Sequence, residues 1–257
     1  MAPFLGWFFL SLLGYVWIGY FTPRSDAWQV IGLFAILFSG YGWVVKRNAP
    51  EPRLWPWMLS AAFAFRLALL GMMPNLSDDF YRFFWDGTLL ASGQNPYLIL
   101  PRQHPDWPLF RHLNSPDYFT VYPPLHQALT ALGPWFFPSS LFGQIVVLRL
   151  EILAAEIATV WLMLRLLDRY RLARANVLLY ALNPLVVVEL TGNLHLEGTM
   201  LALLLGAIFL LDKKRWLAAA LSWGAAVAVK LVPLAFLLLL VRRMGWGRTA
   251  GFAAVVG

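Results

Sequence analysis

The chain is written in long apolar blocks separated by short polar ones. Apolar stretches cover residues 4–21, 28–45, 54–73, 141–167, 175–191, 196–211 and 216–241, and another begins near Gly245. A spanning helix needs about 20 mostly apolar residues. The pattern therefore predicts an all-α fold, a polytopic transmembrane helical bundle of about seven or eight spans. The last block is still apolar at Gly257, which predicts a module truncated at its C-terminus. The whole chain, 1–257, reads as one transmembrane module.

The long polar interruption is 74–140. Its roughly 65 residues are too few and too proline-rich for a core of their own. Phe80, Phe83, Phe84, Trp85, Leu89 and Leu90 instead predict an amphipathic juxtamembrane helix. Ser77 is placed to cap it, with Asp78 and Asp79 in the first turn, where the helix dipole favours acids. Gly93 and Asn95-Pro96 end it, and a second short helix is expected after Tyr122-Pro123-Pro124, because proline suits a helix start.

Basic residues set the orientation. Lys46, Arg47 and Arg53, the four arginines of 165–174, and Lys213, Lys214 and Arg215 fall on one side when the blocks are counted, which makes that side cytoplasmic. The loop 74–140 and the turn 192–197 then lie outside. Arg242, Arg243 and Arg248 break the rule unless Lys230 and Pro233 split the last long block into two shorter helices. Such breaks are tolerated where they line a cavity.

Composition sharpens this. The 60% hydrophobic and 13% charged content, with a mean hydropathy of +0.64, fits a chain that faces lipid. The net charge of +7 sits between apolar blocks and argues for membrane orientation and against nucleic acid. The absence of cysteine excludes disulfides, thiolate nucleophiles and Cys metal sites. No basic residue precedes the first block and no small-x-small cleavage site follows it, so it reads as a retained helix.

Few polar residues are placed for chemistry. Asp78 and Asp79 are adjacent carboxylates at the outer interface, suited to general-base or cation-binding work, or only to capping. Lys230 lies inside an apolar block, where a charge is costly and usually functional, with snorkelling or a structural pair as the alternative. His195 and Glu197 share an outer turn, as ligands for sugar or phosphate or as a self-satisfied turn. Arg66, Arg149, Glu151 and Glu156 sit in apolar blocks and predict structural charge pairing, and Asp86 is expected to fix the loop. No His/Asp/Glu spacing predicts a metal, and no cofactor is expected.

The loop sequence from Ser77 to Gly87, SDDFYRFFWDG, followed by Gly93-Gln94-Asn95-Pro96-Tyr97, resembles the first outer loop of bacterial GT-C glycosyltransferases, and most closely of mannosyltransferase-like members. Val121-Tyr122-Pro123-Pro124-Leu125, the stretch from Gly192 to Gly198, and the stretch from Val229 to Pro233 are similar to later segments of such proteins. The resemblance implies an inverting hexosyltransferase of the bacterial inner membrane, mannose being the suggested sugar. It would use a polyprenyl-phosphate sugar donor and a lipid or glycan acceptor on the extracytoplasmic face. It implies that Asp78 or Asp79 is the base, Asp78 being favoured because it aligns as the first acid of the pair. Lys230, His195, Glu197, Arg82 and Tyr122 would hold substrate. The family has about ten or more helices, so this chain supplies only part of the pattern. A membrane transporter or lipid flippase is the competing reading. It calls for inverted repeats with matching helix breaks, and the sequence shows one clear break, at 230–233.

Overall fold

A computed structural model describes residues 2–48 and 51–256. It is helical, with no strand among the described residues. Helices α1 (Ala2–Tyr20), α2 (Ala27–Asn48) and α3 (Trp55–Ala68) pack round a core that includes Trp7, Tyr15 and Phe65, whose rings meet at 4.8–5.6 Å. The outer loop then contributes α4 (Asp79–Ala91) and α5 (Pro124–Phe136). These two approach so closely that a Cβ on Gly87 would sit 2.5 Å from the Thr130 carbonyl oxygen, so only glycine fits there. As a result α4 buries Phe80, Phe83, Phe84 and Trp85 against protein rather than leaving them to lipid.

The central element is α6 (Leu141–Arg169), 29 residues and so ~43 Å long. Phe80 and Phe84 of α4 cluster with Ile145, Leu148 and Ile152, in its first half. Arg165 lies ~20 Å further along the axis, so α4 and the arginines of 165–174 occupy opposite ends, as the topology expects. After α7 (Val177–Ala181) the chain bends by 58° at Asn183-Pro184 into a π-type turn, Val186–Gly192. The chain closes with α8 (Glu197–Asp212), α9 (Trp216–Val229), α10 (Pro233–Met244) and α11 (Trp246–Val256).

Lys230 is extended (φ −154°, ψ 139°) between α9 and α10, so the last long apolar block is two helices, as the sequence required. The consequence follows directly: Arg243 pairs with Asp212, returning the late arginines to the end that carries Lys213, Lys214 and Arg215.

Two helices are long and apolar enough to cross a membrane by length and composition, Pro3–Tyr20 and Ala27–Arg47, or three if the bent pair 174–192 counts as one. That is fewer than the seven or eight expected. The apolar blocks fold as helices of 12–16 residues where proline, glycine or Lys230 interrupts them, and α6 carries Arg149, Glu151 and Glu156.

Of the four charges expected to pair, Arg66 and Glu156 do so, Arg149 takes carbonyls in place of an acid, and half-buried Glu151 has no hydrogen-bond partner among the described residues. Arg66 Nε and Nη2 donate to Glu156 Oε2 at 3.1 and 2.7 Å, and Tyr180 donates to Oε1 of the same carboxylate. The pair is almost fully buried. Arg149, wholly buried, donates to the carbonyls of Leu70 and Met72 and to those of Thr191 and Gly192, at 2.6–3.0 Å. Those carbonyls belong to two helix ends whose own ladders have run out. One guanidinium thus ties the chain leading into the acidic loop to the turn carrying His195.

Candidate functional site

The acid pair stands where α3 has ended and α4 begins. Ser77 Oγ accepts the Asp79 N–H at 3.3 Å, so the short turn fixes Asp79 as the first helical residue. Adjacent residues at a helix start face different ways, and the two carboxylates part company. Asp78 turns outward to Arg24 Nη1 at 2.5 Å, a half-exposed pair. Asp79 lines a cavity of about 90 Å³ together with Phe83, Tyr122, His126, His195, Glu197 and Lys230. Its Oδ1 accepts from Asn114 Nδ2 at 2.8 Å.

Three distant stretches of chain supply the other walls. In the first, Leu194 takes a left-handed conformation (φ 63°), which reverses the chain between the π-type turn and α8. His195 Nδ1 lies 3.3 Å from Glu189 Oε2, and Asn193 Nδ2 donates to Glu189 Oε1 at 3.2 Å. Burial works to lower the His195 pKa. The Glu189 hydrogen bond and the charges of Glu197, Glu189 and Asp79 outweigh it, and the imidazolium is favoured. In the second, Lys230 pairs with Glu197 across the gap between α9 and α8, both side chains partly open to solvent. In the third, Tyr122 stacks on His126 at 4.3 Å and 12°, with Phe83 edge-on to both. Burial, with the charges of Asp79 and Asp86, pushes the Tyr122 pKa up, so its hydroxyl remains a donor.

The structure brings Asp79, His195, Glu197, Lys230 and Tyr122 to this cavity. It does not bring Asp78, held by Arg24, or Arg82. Arg82 is buried beside Asp86 (Nε to Oδ1, 3.0 Å) and donates to the Ser115 and Tyr118 carbonyls at 2.9 Å. It therefore pins the loop to α4. Gln127 completes this cluster at 3.2 Å from Asp86, in keeping with the loop-fixing role expected of that acid.

His126 and Asn114 were not legible as site residues. His126 is buried, its Nδ1 has no hydrogen-bond partner among the described residues, and its pKa is pushed down to about 3 by burial and by the Lys230 and His195 charges. It is a neutral wall. Its one sequence signal is its place four residues after Tyr122, on the helix that the proline pair starts. No group of three His, Asp or Glu among the described residues is arranged to hold a metal.

Roomier cavities exist, including about 450 Å³ between α3 and α6, but that one is lined mainly by apolar side chains around the satisfied Arg66–Glu156 pair. The smaller cavity gathers a carboxylate, an imidazole, an ammonium and a phenol.

Residues 11–246 match the family described as alpha-(1->6)-mannopyranosyltransferase, N-terminal domain. Two curated relatives are similar. Alpha-(1->6)-mannopyranosyltransferase A of Mycobacterium tuberculosis is 29% identical over 211 residues, covering 79% of this chain and 39% of the relative. The protein of the same name from Corynebacterium glutamicum is 25% identical over 203 residues, covering 75% of this chain and 39% of the relative. The chain thus spans about two fifths of the length of these relatives. No solved structure matches.

Proposed function

The chain belongs to the alpha-(1->6)-mannopyranosyltransferase N-terminal domain family, and from that premise we propose that the Asp79 cavity is the reaction centre of a membrane mannosyltransferase. The observation that supports this best is the convergence of Asp79, His195, Glu197 and Lys230, from three separate stretches of chain, on one cavity. The donor is a polyprenyl-phosphate mannose and the acceptor a lipid or glycan on the extracytoplasmic face of a bacterial plasma membrane. The chain crosses that membrane as a multi-pass bundle, with the short helices completing spans in pairs.

Asp79 is the base. Asn114 holds one carboxylate oxygen and leaves the other for the acceptor hydroxyl. As the hydroxyl oxygen attacks the anomeric carbon, its proton passes to Asp79 and the carbon–oxygen bond to phosphate breaks. The bond electrons leave on the phosphate, whose developing charge is met by Lys230 and the His195 imidazolium, fixed in place beforehand. One displacement inverts the configuration, so an α-linked product calls for a β-linked donor. The cavity is small, about 90 Å³. That fits the phosphoryl group and leaves the sugar and isoprenoid to the open rim.

A transporter or flippase gains one observation, a second helix break at 183–184 in addition to the one at Lys230. Both breaks lie in the second half of the chain, and a transporter gives no reason for the family membership.

The test is transfer of labelled mannose from polyprenyl-phosphate mannose in reconstituted membranes. Asp79→Asn is expected to cost about 10²–10⁴-fold in rate, and Asp78→Asn no more than a few-fold. The reverse order would move the base to Asp78. Near-normal turnover in both variants would remove the loop acids from the chemistry.

A further inference from the structure

At the opposite end of the molecule, α9 and α11 run side by side in the same direction. They touch where Trp223 meets Phe252 edge-on at 5.8 Å and where a Cβ on Gly224 would lie 3.0 Å from the Val256 carbonyl oxygen. Beside this seam, along the first turns of α9 and most of α11, lies a cleft of about 660 Å³. Leu217, Ala220, Phe252 and Val255 give it an apolar lining, and the exposed Lys214, Trp216 and Arg248 stand around it. This end has a surplus of positive charge. Asp212, the acid of the adjoining turn, is taken by Arg243. Lys213 lies over the Phe209 ring, 5.6 Å from its centroid. The side chains of Lys214 and Arg248 have no ion-pair or hydrogen-bond partner among the described residues.

Lys214 also stands at the left-handed position just past the end of α8 (φ 59°), where glycine or asparagine is the usual residue. A lysine there places a long cationic side chain beside the cleft. Trp216 is 43% exposed beside it, and its amphipathic ring suits the headgroup level of a bilayer.

We propose that the α9–α11 cleft binds an anionic phospholipid of the inner leaflet, with Lys214 and Arg248 on its phosphate and the acyl chain along Leu217, Phe252 and Val255. The inference rests on the membrane reading and is independent of the transferase reading. An apolar wall alone would accept any lipid. The two free cations beside it select a headgroup with net negative charge, because a zwitterion brings its own ammonium to the same place.

The experiment is native mass spectrometry of the protein released from detergent with phosphatidylglycerol or phosphatidylcholine added. One phosphatidylglycerol is expected to be retained in preference to phosphatidylcholine. Lys214→Ala with Arg248→Ala is expected to cut that preference by roughly 30-fold, the factor given by two headgroup-facing cations. Lys46→Ala with Arg47→Ala removes equal charge from the end of α2 and is expected to leave it intact. Equal losses in the two double variants would reduce the effect to general surface charge and overturn the site, as would equal retention of the two lipids. Flotation with liposomes tests the membrane reading separately. Failure to float would sink that reading, whereas flotation without lipid preference would sink only the site. A double variant that elutes as aggregate is replaced by Arg248→Gln alone, expected to lose about half of the effect on a logarithmic scale.

Discussion

Two glutamates on neighbouring helices each pair with a basic residue, and the pairs are built differently. Glu156 on α6 is almost fully buried, and both of its oxygens accept from Arg66 or Tyr180. Glu197 on α8 pairs with Lys230 through one contact, each side chain about two fifths exposed. The two sites are close: a Cβ on Gly198 would sit 2.7 Å from Glu156 Oε1. A buried pair in which both carboxylate oxygens already accept from protein donors has little left for a substrate, so it serves to hold helices together. An open pair beside a cavity can exchange its partner for a phosphate. In an apolar chain, spare hydrogen-bonding capacity separates a site from a scaffold better than the presence of charge does.

The comparison breaks most sharply at Glu156. Replacing it with alanine strands the Arg66 guanidinium in the bundle and is expected to cost about 3–5 kcal/mol of stability, read as a large fall in melting temperature in detergent. A Glu156→Ala protein that melts normally would show the pair to be no scaffold. Lys230→Ala should do the opposite. Stability changes by less than about 1 kcal/mol because the pair is open, while kcat/KM for the donor falls about 10- to 100-fold through loss of a charged hydrogen bond. Both KM and kcat should move, since the ammonium meets the phosphate in the ground and transition states.

A smaller effect sharpens the electrostatics. The folded-state pKa of His195 is raised, so the fold favours the charged form. Its contribution is complete below the ordinary histidine value of 6.5 and is lost as pH rises through the folded pKa. Transfer should therefore decline on the alkaline side, and Glu189→Gln should shift that decline to lower pH. An unmoved profile would show that the Glu189–His195 contact does not control the reaction. The smallest effect is expected at Arg24→Ala, which breaks the exposed pair with Asp78. It should cost about 0.2–1 kcal/mol and leave turnover within a few-fold. A large loss there would return Asp78 to the site.

The sequence by itself determined the helical class, because apolar blocks of this length with few charges have no other way to satisfy their backbone. It grouped the late basic residues at one end of the bundle, and it predicted the break at Lys230–Pro233, because a lysine and a proline do not readily continue an apolar helix. It pointed to the Asp78–Asp79 pair, with Asp78 as the preferred base, and to His195, Glu197 and Lys230 as unusual residues, and through the loop resemblance to the family. Only the tertiary structure decided which of two adjacent acids faces the cavity. That depends on Arg24, some fifty residues away and too remote for any local pattern to indicate. It likewise decided that Arg82 is spent on loop carbonyls, that Arg149 joins two helix ends, and that His126 and Asn114 enter the site. Period and composition report how a residue sits on its own helix. Which atoms are left unpartnered is fixed only when helices far apart in sequence meet.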